Sequence, residues 1–150
     1  MKKITYFIAT LSLMHIETGY AAGTCTSNKL AATQKRVAAV MKADTPKESN
    51  SWEKLKKAFD GNRGCMAVYE AYDFGEAIRH LMTNHWDQIG KLEKYMKSDS
   101  NFFQFVISGL KDETANAEDL KKIQTLAQTK CPQGAEAICK EVVDNVKITP

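Results

Sequence analysis

Glu70, Asp73, Glu76, Arg79 and His80 fall at helical intervals in one short stretch of the chain. Residues three and four apart on a helix share a face, so Glu76 can reach Asp73, Arg79 and His80. Several chemistries use such a set. A di-metal carboxylate bundle needs Glu-x-x-His on two helices; here glutamate and histidine stand one position further apart, in one copy. Acid–base catalysis needs paired groups in contrasting environments, and covalent catalysis needs a nucleophile beside its base. No G-x-S-x-G or H-E-x-x-H pattern is present to anchor either. Recognition remains, with Glu70, Asp73, Glu76, Arg79 and His80 as the expected exposed contact positions for a partner. The plainer alternative is a row of intrahelix ion pairs on a solvated face. No catalytic residue, metal ligand or cofactor is expected.

Cysteine chemistry is the second signal. Cys25, Cys65, Cys131 and Cys139 allow three pairings. Zinc would want close pairs such as C-x-x-C, and a redox site would want the same motif; neither occurs. Two disulfides are the expected state, with Cys131–Cys139 and Cys25–Cys65 favoured. The first pair brackets Pro132-Gln133-Gly134, where the chain reverses. Loop closure makes it worth about 2.5 kcal/mol, and the longer Cys25–Cys65 loop about 4 kcal/mol.

Disulfides imply an oxidising compartment, and the N-terminus agrees. Lys2 and Lys3 precede an apolar run from Ile4 to Met14, and Gly19-Tyr20-Ala21 offers small residues around a cleavage point. Residues 1–21 are therefore expected to be a cleaved signal peptide, and 22–150 a single domain in the periplasm or secreted. The run is shorter than the about 20 residues that span a bilayer, and no later stretch is longer, so no membrane span is expected. The chain has 21 basic and 18 acidic residues, and loss of Lys2, Lys3 and Glu17 leaves 19 against 17. That balance argues against a nucleic-acid partner. Lys54, Lys56 and Lys57 form the densest basic run, expected to be a solvated helix face.

The elements that must position these residues are helices. Glycine and proline are scarce, with 8 and 3 in all, and apolar residues recur at helical rather than strand spacing. Helix one is expected over Ser27–Lys42 with a stripe of Leu30, Gln34, Val37 and Met41. Asn50 would cap helix two, Ser51–Phe59, which buries Trp52, Leu55 and Phe59. Helix three, Cys65–Thr83, is the longest and most central, and Gly75 within it predicts a close helix contact. Helix four, His85–Lys97, sets Trp86, Ile89, Leu92 and Met96 inward and Lys91, Lys94 and Lys97 outward. Ser98-Asp99-Ser100 makes a turn and a cap for helix five, Asn101–Leu110, apolar almost all round. Asn116 caps helix six, which ends before Cys131-Pro132. Helix seven runs Gly134–Val146. The fold class is all-α: six to seven short helices in a bundle or a small solenoid-like stack.

Cys65-Met66-Ala67-Val68-Tyr69-Glu70-Ala71-Tyr72, Phe102-Phe103-Gln104-Phe105-Val106-Ile107, Asp119-Leu120-Lys121-Lys122-Ile123 and Cys131-Pro132 with Cys139 together resemble a group of small exported bacterial helical proteins, mostly of unassigned role. The design is also similar to periplasmic immunity proteins, which neutralise toxins aimed at the cell wall. That resemblance implies a non-catalytic protein that occludes a partner toxin or cell-wall hydrolase. It carries over no toxin-contacting residue. The alternative is an envelope carrier or folding helper, with Tyr69, Tyr72, Phe74, Trp86, Phe102, Phe103 and Phe105 around a small apolar ligand. Oligomeric state stays open, a homodimer included.

Overall fold

The computed structural model describes residues 26–42, 51–63, 68–111 and 115–146, with the side chains of 68–72 left aside. The expected signal segment, the expected Asn50 cap and the expected Cys25–Cys65 pair lie outside the described residues. Within them the chain forms seven α-helices and one 3-10 turn, and no strand: α1 (Ser27–Met41), α2 (Ser51–Asn62), α3 (Val68–Asn84), the 3-10 turn (Trp86–Gln88), α4 (Gly90–Ser98), α5 (Ser100–Gly109), α6 (Ala117–Thr129) and α7 (Glu136–Asn145). At 17 residues α3 is the longest. It packs against α1, α2, α5 and α6, while α7 closes against α4, α5 and α6. Such contacts join helices distant in sequence, so the architecture is a bundle around α3. In a solenoid each unit would touch only its neighbours.

Local sequence sets most helix ends. Thr26, Asp99 and Asn116 each place a side-chain oxygen to accept a first-turn amide, from Lys29, Phe102 and Glu118, satisfying donors that a helix leaves orphaned. Gly134 takes a φ of 81° in the turn before α7, a conformation that suits glycine. Across that turn Cys131 and Cys139 are bonded, their Cα atoms 6.0 Å apart.

Two elements differ from the periodic reading. The buried stripe of α1 is Thr33, Val37 and Val40, with Gln34 outward. Thr33 can face inward because its hydroxyl donates to Lys29 O at 3.0 Å. Helix four does not begin at His85: α3 runs through Asn84, a 3-10 turn follows, and α4 starts at Gly90. The Trp86 indole N–H donates to Lys130 O at 2.8 Å, a tertiary bond that fixes this turn on the end of α6.

The core gathers Trp52 and Leu55 from α2, Phe74, Ile78 and Leu81 from α3, Phe102 and Val106 from α5, Ile123 from α6 and Ile138 and Val142 from α7. Gly75 of α3 lies at the crossing with α5. A Cβ built on Gly109 would stand 3.5 Å from Gly75 Cα and 2.7 Å from Ile78 Cδ1. Two glycines thus let the backbones approach, as Gly75 led us to expect. Lys54-Lys56-Lys57 is not simply a solvated face. Lys57 is exposed, but Lys56 bridges Asp60 at 2.5 Å and Asp99 at 2.9 Å. Arg63 joins the same two aspartates, and the Lys56 ammonium lies 5.5 Å from the centroid of the Phe102 ring. Burial opposes charge on Asp99. The Lys56 hydrogen bond, the Phe102 amide and the charges of Lys56 and Arg63 outweigh it and hold its carboxyl below the ordinary range.

Candidate binding cleft

The C-terminal half of α3 opens onto a cleft of about 340 Å³. Glu76, Arg79, His80, Thr83 and Asn84 form one wall, Asn116 and Asp119 of α6 the opposite one, and Met41 at the end of α1 a third side. The geometry follows from sequence spacing plus packing. Glu76, His80 and Thr83 recur at i, i+4 and i+7, a single helical face. Asn116 and Asp119 lie at the start of α6, where the Asn116 side chain already caps the Glu118 amide and both residues line the cleft.

Three of the five expected contact positions meet in this cleft: Glu76, Arg79 and His80. Asp73 is half-buried and lies apart from the cleft lining, and the Glu70 side chain is outside the described set. The exposure expected of Arg79 is corrected, because it is only 5 % exposed. The reason is tertiary. Close approach of α3 and α5 brings the Gly109 carbonyl, at the C-terminal end of α5, within reach, and Arg79 Nη1 donates to it at 3.2 Å. Cations are favoured at that end of a helix. Nor do Glu76 and Arg79 form the intrahelix ion pair their spacing allows: among the described residues Arg79 makes no ion pair.

His80 is half-buried. Its Nδ1 and the Asn84 Nδ2 are hydrogen-bonded at 3.1 Å. The buried His85 ring lies 5.9 Å away, centroid to centroid. The Thr83 hydroxyl hydrogen-bonds the main-chain carbonyls of Arg79 at 2.9 Å and His80 at 3.1 Å. The arrangement can therefore bind a polar group with donors, acceptors and both signs of charge. Among the described residues no three histidine, cysteine, aspartate or glutamate side chains come together as a metal site.

Sequence reasoning missed the far wall. Asn116 and Asp119 read only as the cap and first turn of α6, and no local signal says that this helix end faces α3. Of the aromatic residues of the carrier reading, Phe74, Phe102 and Phe105 pack against one another and against Phe59, and the side chains of Tyr69 and Tyr72 lie outside the described set. Phe59 and Phe105 have centroids 4.7 Å apart, Phe74 and Phe105 5.1 Å, and Phe59 and Phe102 5.3 Å. These rings fill the core with edge and tilted contacts. No helix among the described residues is long and apolar enough to cross a membrane. Comparisons of the chain with protein-family models, curated proteins and solved structures return no match.

Proposed function

We propose that this chain is a non-catalytic binding protein of the periplasm, an immunity or inhibitor protein that occludes a toxin or cell-wall hydrolase. The α3–α6 cleft carries this reading. It is a ready-made recess lined almost wholly by polar groups, and a side chain projecting from a partner would lose its water there against fitted donors and acceptors. Few such anchors supply most of the energy of a protein interface. The Thr83 hydroxyl supports a role without turnover, because it is engaged by main-chain carbonyls instead of standing as a nucleophile beside the His80 ring. The Cys131–Cys139 bond supports life in an oxidising compartment.

The test is inhibition. The purified protein is mixed with each toxin or wall hydrolase encoded beside its gene, and release of dye from labelled peptidoglycan is followed. Stoichiometric inhibition is expected, and reversing charge at the cleft with Glu76→Lys and Asp119→Lys should abolish it. Undiminished dye release with every such enzyme would overturn the reading.

A further inference from the structure

The cleft between α3 and α6 holds opposite charges that do not neutralise one another. Arg79 is 5 % exposed, and the only bond of its guanidinium among the described residues is to Gly109 O. A guanidinium carries five N–H donors. Holding it this deep without an anion is costly. Glu76 and Asp119 line the same space, yet neither pairs with Arg79 or with any other described residue. A simple anion entering here would gain Arg79 and meet two carboxylates. A simple cation would meet the reverse. A ligand bearing both charges on neighbouring atoms satisfies both sides at once.

Size narrows the class. Small-molecule sites run from about 300 to 1,000 Å³, and this cleft, at about 340 Å³, lies at the lower end. Its lining is polar apart from Met41, so the ligand must be mostly polar as well. We infer that the cleft binds a free α-amino acid, its carboxylate on Arg79 and its ammonium between Glu76 and Asp119. Asn84 and Asn116 line the same cleft, and Asn84 Oδ1 and Asn116 Nδ2, left over from the His80 bond and the α6 cap, meet the ligand's remaining polar atoms. The inference uses the same cleft as the partner reading but does not depend on it.

The experiment is calorimetric titration of the purified protein with a panel of free L- and D-amino acids, alongside N-acetyl and amide derivatives. At least one free amino acid should bind. Masking either its ammonium or its carboxylate should weaken binding about tenfold or more, because each removes a charged hydrogen bond. Arg79→Gln should do the same. Should that buried variant fail to fold, Glu76→Gln with Asp119→Asn, at the cleft edge, carries the test. Silence across the panel, or equal binding of the masked derivatives, overturns the inference. Hydrolase inhibition measured on the same samples separates the two ideas. Inhibition without amino-acid binding sinks only this one, and binding without inhibition sinks only the partner reading.

Discussion

Asp99 does two jobs with one side chain. Its Oδ1 accepts the Phe102 amide at 3.1 Å as the cap of α5, and its carboxylate holds Lys56 and Arg63 of α2. The jobs separate by charge and by pH. The folded carboxyl sits below its ordinary value, so the unfolded chain takes up its proton first as pH falls. The stability it contributes is therefore present above about pH 4 and is lost as pH drops through the folded value. Asp99→Asn keeps an oxygen for the cap and removes the ion pairs. It should cost about 0.5–1 kcal/mol at neutral pH, the scale of partly exposed pairs, and almost nothing at low pH. Asp99→Ala should cost about 1 kcal/mol more at every pH, because the cap goes too. Urea unfolding of both variants across pH checks this, and a penalty for Asp99→Asn that is independent of pH would refute the assignment. Lys56 is the reciprocal partner. Burial lowers its pKa, but the hydrogen bonds and charges of Asp60 and Asp99 win and raise it.

Helix packing turns on small residues, and two glycines should respond oppositely to the same change. A Cβ on Gly90, the first residue of α4, meets nothing within 4 Å. Gly90→Ala should stabilise by about 0.4–1 kcal/mol, by restricting the unfolded chain and improving helix propensity. A Cβ on Gly109 instead lands 2.7 Å from Ile78 Cδ1, and Ile78 is fully buried. Gly109→Ala should destabilise by about 1–3 kcal/mol through overpacking. Ile78→Val removes the obstructing methyl at a cost of about 0.5–1.5 kcal/mol alone. Combined with Gly109→Ala it should cost clearly less than the sum, and strict additivity in a double-mutant cycle would show that the two sites do not touch. Periodicity located this crossing only by half. Gly75 stood out as a costly residue inside a helix, whereas Gly109 at a helix end gave no such signal.

Over the whole molecule the question is what holds the seven described helices together. The buried core draws on α1 through α7, and a domain of this length removes enough surface from water to fold on burial alone. The Cys131–Cys139 bond closes a short loop, with a sequence separation of 8, so the Cys131→Ser, Cys139→Ser protein should lose about 2.5 kcal/mol. It should still unfold in one cooperative, thermally monitored transition; a molten protein would mean that the bond, and not the core, supports the bundle. Residue order alone determined the helical class, the cap at Asn116, a capping turn at Ser98-Asp99-Ser100 and the Cys131–Cys139 turn, since each depends on neighbours within a few positions. It also put Glu76, Arg79 and His80 on one helix face. Only tertiary packing decided that α6 starts opposite them, that Arg79 turns inward to the end of α5 and that Trp86 anchors a 3-10 turn on Lys130. Each of these depends on a bond or a close approach between segments far apart in the chain, which spacing along one helix does not encode.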